Sequence, residues 1–250
     1  MTVKDKIILI TGANRGIGKA YAEEFLKAGA KKIYLGVRKT ESVAAMAAAH
    51  PGVFVPLKLD VTSEADIKAA ASAAQDVQIV VNNAGIAMFD GLSSPEAAQN
   101  ARAEFEVNYI GPLLITQAFA PVLKKNGGGA VVTVSSIAGH VAFPAFTTYS
   151  ASKFAAHALI LASRAQLAPQ GTRVIGVYPG PIDTDMAKDV PMDKVPPADV
   201  ARATIKAIES GVEDVFPDAM AQGLYEALRD DPKAVEKQML ESVQESLKAA

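Results

Sequence analysis

The feature that most constrains the fold is a regular alternation of short apolar runs with long helix-forming stretches. Seven runs rich in Ile, Val and Leu follow one another along the 250 residues: KIILIT, KIYLGV, VFVPLKL, QIVVNN, GAVVTVS, RVIGVYP and DVFP. The stretches between them are long, Ala-rich and favour helices. Because strands this apolar must be buried on both faces, we predict an α/β fold of the doubly wound Rossmann type. It would have a central parallel seven-stranded sheet flanked by helices, in a single domain spanning 1–250.

Composition excludes several classes of function. The absence of cysteine rules out disulfides and thiolate nucleophiles, and three scattered histidines argue against a metal site. With a net charge of −2 and no basic stripe, we expect no nucleic-acid partner. The first apolar run is too short for a signal peptide or a membrane span, so we expect no membrane partner and a cytoplasmic location.

A glycine-rich turn directly follows the first strand. The segment TGANRGIG leads into an amphipathic stretch, KAYAEEFLKAG. Glycines there permit a tight turn and close backbone approach, while the helix that follows offers free N–H groups to a pyrophosphate. The alternative is a strand-to-helix turn that binds nothing. We predict cofactor contacts at Gly12, Asn14, Arg15, Gly16, Ile17 and Gly18.

The end of the second strand indicates which dinucleotide is bound. NAD-binding members of this fold place an acid about 20 residues beyond the glycines, where it binds the ribose 2′-hydroxyl. Here Val37 and Arg38 occupy that region, and Arg15 in the glycine turn can reach it. A guanidinium matches a 2′-phosphate, so we predict NADPH/NADP+. Alternatively, both arginines are solvated surface residues.

Five motifs in one order closely resemble the short-chain dehydrogenase/reductase family over almost the entire chain. TGANRGIG is similar to the family's TGxxxGxG turn, NNAG (82–85) to its motif after strand four, and YSASK (149–153) to its YxxxK. PGPIDTDM resembles the PG-x3-T segment, and Ser136 has the family's usual spacing before the tyrosine. The resemblance also places a fourth catalytic residue at Asn108. It thus implies the catalytic set Asn108, Ser136, Tyr149 and Lys153.

Tyr149 and Lys153 are four residues apart and so share one face of a helix. A phenol has a pKa of about 10, and a nearby cation stabilises phenolate. We therefore expect Lys153 to lower the Tyr149 pKa and make the phenol a usable acid and base. During carbonyl reduction Tyr149 would supply the proton and Ser136 a hydrogen bond to the same oxygen. Singly, a buried tyrosine with a satisfied hydroxyl and a snorkelling lysine are the commoner structural roles.

The resemblance implies further roles. Lys153 would also hold the nicotinamide ribose, and Asn108 would fix a water that links the lysine to solvent. Asp60 would contact the adenine, unless it caps the next helix, and Thr184 would bind the carboxamide, unless it caps the turn after it. The remaining predicted cofactor contacts are Val61, Asn83, Ala84, Gly85, Tyr149, Lys153, Pro179, Gly180 and Ile182.

Substrate walls are implied after three strands, and they are mainly apolar. Beside Ser136 and Tyr149, the predicted substrate contacts are Met88, Phe89, His140, Phe143, Pro181 and Met186. A small neutral aldehyde, ketone or alcohol fits such walls best. The alternative is that these residues pack only on one another or on a subunit. His140 either faces the substrate or makes an ordinary hydrogen bond in its loop.

The last part of the chain is assigned only coarsely. We predict a substrate lid within 189–212, where a plain connector fits equally well. A helical segment over 219–250 would break at Asp231 and Pro232, and would cover the substrate mouth, bind a subunit or pack on its own domain. The resemblance implies a homodimer or homotetramer.

Two other functions compete with an NADPH-dependent carbonyl reductase. One is a regulatory protein that senses NADP(H) on the same fold without turning it over. The other is a scaffold protein with no ligand, which would leave the glycine turn and Arg38 unexplained. The presence of all four catalytic residue types favours the enzyme.

Overall fold

A seven-stranded parallel sheet forms the centre of the molecule. The computed structural model describes residues 1–88, 91–190 and 192–249, with side chains described as far as 242. The spatial order of the strands is β3-β2-β1-β4-β5-β6-β7. Their bounds are β1 (Ile7–Thr11), β2 (Lys32–Val37), β3 (Phe54–Lys58), β4 (Ile79–Asn82), β5 (Gly129–Val134), β6 (Thr172–Val177) and β7 (Asp214–Val215). The predicted doubly wound fold is confirmed, and the strand order reverses between β1 and β4, where such sheets bind ligands.

Helices cover both faces of the sheet. Their bounds are α1 (Gly16–Lys27), α2 (Ala44–Ala49), α3 (Glu64–Ala73), α4 (Ala97–Phe105), α5 (Gly111–Lys125), α6 (Thr147–Leu167), α7 (Pro197–Ser210), α8 (Ala219–Asp230) and α9 (Pro232–Ala249). Helices α1 and α7 cover one face, and α3, α5 and α6 cover the other. In the part of the chain that the structure describes, none of these helices is both long and apolar enough to cross a membrane.

The alternation of side chains along each strand divides the core into two layers. In β1, Ile8 and Ile10 pack beneath α1 and α7, whereas Leu9 between them faces α3 and α5. All three are fully buried. Burial of each such side chain stabilises the fold by about 1.5–3 kcal/mol, which explains why these strands are apolar at successive positions.

A single π-helical turn joins α4 to α5. It covers Glu106–Ile110, and helical geometry continues without a break from Ala97 to Lys125. A π turn shifts the side chains that follow it relative to a regular helix, and such turns often occur at functional sites. Here the turn contains Asn108, which is buried.

The predicted lid region, 189–212, is too long. Its second half is α7, which packs against α1 with Val200 and Ala201 fully buried. A hydrogen bond of 2.7 Å between the Tyr21 and Thr204 hydroxyls also joins the two helices. This half of the region is therefore part of the core.

Candidate active site

One cavity of about 820 Å³ lies at the carboxyl ends of the strands. Its walls come from the segments that follow β1 to β6 and from α6. The structure brings every predicted cofactor residue to this cavity: Gly12, Asn14, Arg15, Gly16, Ile17, Gly18, Arg38, Asp60, Val61, Asn83, Ala84, Gly85, Tyr149, Lys153, Pro179, Gly180, Ile182 and Thr184.

The glycine turn forms a cradle that larger residues would fill. Gly16 has φ +52°, which L-residues rarely adopt. A Cβ at Gly18 would lie 2.2 Å from the Gly12 carbonyl oxygen, so only glycine permits this approach of α1 to β1. The first N–H groups of α1 have no partners within the helix and lie at its positive dipole end. The residues present therefore fit a pyrophosphate, as a nicotinamide dinucleotide requires.

Asn83 braces the glycine turn. Its side-chain amide donates to the Thr11 carbonyl oxygen at 2.9 Å, and the Thr11 hydroxyl accepts from the N–H groups of Asn83 and Ala84 at 3.0 Å each. These bonds join the ends of β1 and β4. The Asn83 side chain thus fixes the cradle, while the residue also lines the cavity.

The cavity wall after β2 carries positive charge. Arg38, Lys39 and Ser42 line it there, and Val37 occupies the end of the strand. Across the cavity mouth, Arg15 forms an ion pair with Asp185 at 3.2 Å, and both side chains are largely exposed. Arg15 is therefore not simply solvated, although an exposed pair of this kind contributes little to stability.

Neither the Asp60 nor the Thr184 side chain forms the helix cap that was its alternative role. Ser63 caps α3 through a bond from the Asp66 N–H, while the Asp60 carboxylate accepts from the Thr62 N–H and hydroxyl at 3.0 and 2.8 Å. Thr184 precedes the 3-10 turn Asp185–Ala187, but its hydroxyl donates to the Ile182 carbonyl oxygen at 3.3 Å.

The predicted catalytic side chains converge at the other end of the cavity. Ser136 and Tyr149 are joined through their hydroxyl groups. The Ser136 hydroxyl also donates to the Pro179 carbonyl oxygen at 3.2 Å and accepts from the Ala138 N–H at 3.1 Å. Lys153 Nζ lies 5.5 Å from the centroid of the Tyr149 ring and donates to the Val134 carbonyl oxygen at 3.3 Å.

The pKa values of Tyr149 and Lys153 correct the prediction that Tyr149 is unusually acidic. Burial raises the pKa of Tyr149 to about 12, the hydrogen bond with Ser136 lowers it, and the Glu104 carboxylate raises it. Burial also lowers the pKa of Lys153 to about 8, against an opposing effect of Glu104. The expectation that Lys153 makes Tyr149 acidic is therefore wrong in its net direction. Desolvation outweighs the lowering effect of the hydrogen bond with Ser136.

Asn108 lies behind the cavity and connects its two walls. Its Oδ1 accepts from the Ile86 N–H at 3.0 Å, and its Nδ2 donates to the Ile86 carbonyl oxygen at 2.9 Å and to Ser152 Oγ at 3.0 Å. A Cβ built on Gly85 would lie 3.2 Å from Asn108 Oδ1 and 3.7 Å from Lys153 Nζ. Gly85 thus keeps open the space between these two groups.

The substrate end is built from apolar side chains, only some of which were predicted. Phe143, Pro181 and Met186 line the cavity. Met88 does not; its side chain is 46% exposed, and Phe89 lies outside the described residues. Sequence reasoning missed Phe146, which also lines the cavity. Val190 and Met192, from the predicted lid region, line it too, as does Met220 from the C-terminal helical segment.

His140 does not line the cavity, so its prediction as a substrate contact is wrong. Its ring packs among His157, Tyr178, Phe216 and Tyr225, with centroid distances of 4.2 to 5.6 Å. Burial, together with the nearby His157, lowers its pKa to about 4. The ring belongs to an aromatic cluster behind the cavity wall and makes no ordinary loop hydrogen bond through its buried Nε2 in the described part of the chain.

Glu104 is a further residue that sequence reasoning missed. It is fully buried, and its Oε1 accepts from the Met88 N–H at 2.7 Å. The available signal was its spacing of four residues before Asn108, which places the two on one helical face. Because other charged residues surround it in ARAEFEVN, the position resembles a solvated helix surface.

Known proteins resemble this chain in sequence and in fold. The sequence model for the short chain dehydrogenase family matches residues 6–194. The chain is 36% identical over 197 residues to the short chain dehydrogenase tazN of Aspergillus terreus, a match covering 74% of this chain and 43% of that protein. The chain therefore spans less than half the length of that relative.

Two solved structures superpose on most of the chain. A short chain dehydrogenase from Burkholderia cenocepacia, in complex with NADP, has a TM-score of 0.90 at 40% identity, covering 96% of this chain and 99% of that one. A 7α-hydroxysteroid dehydrogenase, complexed with NADH and 7-oxo glycochenodeoxycholic acid, has a TM-score of 0.79 at 28% identity, covering 86% and 94%. With the fold, the glycine cradle and the Ser136, Tyr149 and Lys153 cluster, these matches establish that the chain belongs to the short-chain dehydrogenase/reductase family of oxidoreductases.

Proposed function

We propose that the protein is an NADPH-dependent oxidoreductase that reversibly reduces an aldehyde or ketone to an alcohol. The observation that carries the proposal is the position of Ser136, Tyr149 and Lys153 in the same cavity as the glycine cradle and Arg38. When bound, the reduced nicotinamide would supply hydride to the carbonyl carbon. The protein must then bind the carbonyl oxygen and give it a proton.

Tyr149 is suited to that proton transfer in the direction of reduction. With a pKa of about 12 it holds its proton at neutral pH, so it is a general acid that is ready to donate. Once the proton leaves, the Lys153 ammonium, which is protonated below about pH 8, stabilises the phenolate. The Ser136 hydroxyl would turn from the Pro179 carbonyl oxygen to the substrate oxygen.

Three observations support NADPH over NADH. No acidic side chain of the segment after β2 lines the cavity, where Arg38, Lys39 and Ser42 lie instead. Guanidinium and ammonium groups suit a 2′-phosphate, which an acid in this position would repel. The Burkholderia cenocepacia relative is a complex with NADP, although the hydroxysteroid dehydrogenase is a complex with NADH.

The substrate class follows from the walls beyond Tyr149. Phe143, Phe146, Met186 and Met192 are apolar, and an apolar wall favours a neutral carbonyl compound over a charged one. We infer a homodimer or homotetramer as well, on the ground that Phe154 and Leu161 of α6 are 41% and 48% exposed.

The test is an NADPH-oxidation assay with purified protein and a panel of aliphatic, aromatic and steroid aldehydes and ketones. We expect turnover of neutral apolar carbonyl compounds, with kcat/KM higher for NADPH than for NADH. A protein that binds NADPH but oxidises it with none of these compounds would favour a sensing role. A preference for NADH would contradict the cofactor assignment.

A further inference from the structure

The buried face of α4 carries an acid next to the catalytic pair. Glu104 is fully buried, and one turn later on the same face lies Asn108, which hydrogen-bonds to Ser152 on α6. Helices α4 and α6 pack together, so this face meets the side of α6 that carries Tyr149 and Lys153. Glu104 itself does not line the cavity. A substrate would therefore not touch it.

The two carboxylate oxygens of Glu104 have different surroundings. Oε1 accepts the N–H of Met88, and so holds the loop after β4. Oε2 is buried and has no hydrogen-bond partner among the described residues. A buried, half-satisfied carboxyl group destabilises a fold, and an apolar residue would pack the same space at lower free energy. Holding one backbone N–H would not by itself require a charged residue, since a neutral amide has the same acceptor.

The electrostatic influence of Glu104 reaches both catalytic groups. Its negative charge raises the pKa of Tyr149 and, against the effect of burial, raises the pKa of Lys153. No direct ion pair joins Glu104 to Lys153 within the described ranges, so the effect acts through space. The other acid on this part of the helix, Glu106, is exposed.

We propose that Glu104 is a positioning residue that acts through Lys153: its buried, half-satisfied carboxylate, on the face of α4 that packs against α6, keeps the lysine in its ammonium form. The inference rests on the proposed function and deepens it. In the direction of reduction, the ammonium stabilises the phenolate that remains after Tyr149 has given its proton to the substrate oxygen. Glu104 would thus set the upper pH limit of reduction.

The test is designed around the titratable groups that lie near Glu104. From α6 the titratable groups are Tyr149 and Lys153; the π turn contributes exposed Glu106 and half-buried Tyr109, and the loop after β4 contributes only the Met88 backbone. Glu104→Gln removes the charge and retains an oxygen that can accept from Met88. Glu106→Gln makes the same charge change on the exposed face and is the matched control.

The first readout needs neither cofactor nor turnover. Lys153 is titrated by NMR of protein labelled with 13Cε-lysine, with its signal assigned by its absence from Lys153→Met. We expect the lysine to titrate near pH 8 in the unsubstituted protein. In Glu104→Gln its midpoint should fall by about half a pH unit or more, and in Glu106→Gln it should not change. Glu104→Asp, which restores a carboxylate, should return the midpoint toward its original value.

The second readout is the pH profile of kcat/KM for NADPH-dependent reduction. In Glu104→Gln the fall in rate at high pH should begin at lower pH, by the same amount as the lysine midpoint. An unchanged Lys153 midpoint in a folded Glu104→Gln protein would overturn the proposal and leave Glu104 as a clamp for the loop after β4. If the unsubstituted protein reduces no carbonyl compound, the proposed function fails, while the NMR titration still decides the role of Glu104.

Discussion

The Asp218 carboxylate accepts a hydrogen bond from the backbone N–H of Gly180 at 2.8 Å, and so joins the start of α8 to the loop after β6. Its other oxygen accepts from the Ala221 N–H at 2.8 Å and caps the same helix. Asp218 is 7% exposed. One side chain thus connects the C-terminal helices to the loop that lines the cavity beside Pro179, Gly180 and Pro181.

We expect Asp218→Ala to lower the free energy of unfolding by about 2–3 kcal/mol, because a helix loses its cap and a buried N–H loses its acceptor. NADPH should also bind more weakly, since the loop at Gly180 is released. Urea unfolding and NADPH titration measure the two effects. The control is Asp231→Ala, which removes the cap of α9 at a residue that does not line the cavity. Equal NADPH affinities in the two variants would contradict this connection.

The rate of reduction should depend on the charge of Lys153. Burial places its pKa at about 8, so the ammonium form predominates below that pH and is lost as the pH rises through it. Because the ammonium stabilises the Tyr149 phenolate formed in the transition state, kcat/KM for reduction should fall above about pH 8. A pH profile measured with saturating NADPH tests this. A rate that stays constant up to pH 10 would show that the charge of Lys153 is not needed.

The choice of cofactor should depend on Arg38. In Arg38→Asp the cavity wall after β2 loses a donor to the 2′-phosphate and gains a repelling charge. We expect NADPH to bind roughly 10- to 100-fold more weakly, since a hydrogen bond to a charged group contributes about 1.5–3 kcal/mol. NADH affinity should change little. Fluorescence titration with both cofactors measures the ratio, and Arg102→Asp on the exposed side of α4 is the control. An unchanged ratio would mean that the phosphate lies elsewhere.

Stability should fall in acid because His140 is buried as the neutral base. Its folded pKa of about 4 is below its unfolded value of about 6.5, so the unfolded chain binds the extra proton between those pH values. The contribution to stability is complete above about pH 6.5 and is lost progressively as the pH falls toward 4, to a total on the order of 2–3 kcal/mol. The pKa of His157 is lowered in the same direction, again chiefly by burial.

In His140→Phe the loss of stability between pH 6.5 and 4 should be smaller than in the unsubstituted protein. Carboxyl groups also titrate in this range, so the informative quantity is the difference between the two unfolding curves. His50→Phe, at the surface after α2, is the matched control. Parallel curves for His140→Phe and the unsubstituted protein would contradict the placement of His140 in the aromatic cluster.

The fold and most of the cavity could be predicted because their signals are local. Continuous apolar strands required a sheet covered on both faces, and the glycines of the first turn preceded a helix, so each signal lay within a dozen residues. The positions of His140 and Glu104 could not be predicted in this way. His140 packs on rings from α6, β6 and the segment around α8, and Glu104 is buried only because α4 packs on α6.

The net pKa of Tyr149 also depended on information that spacing does not contain. The four-residue interval to Lys153 correctly indicated that the two side chains are close, at 5.5 Å between Nζ and the ring centroid. It could not indicate how deeply both are buried. Desolvation changes the pKa of each group more than any other influence does, and it depends on every neighbouring element.

The most direct test of the central claim is a single-turnover measurement with Tyr149→Phe. NADPH bound to the variant is mixed with a carbonyl substrate that the unsubstituted protein reduces, and NADPH oxidation is followed by absorbance at pH 7. Removal of the hydroxyl should reduce the rate by about 10²–10⁴-fold, the range of general acid catalysis, with NADPH affinity nearly unchanged. Oxidation at the original rate, with NADPH bound as tightly as before, would contradict the assignment of Tyr149 as the proton donor.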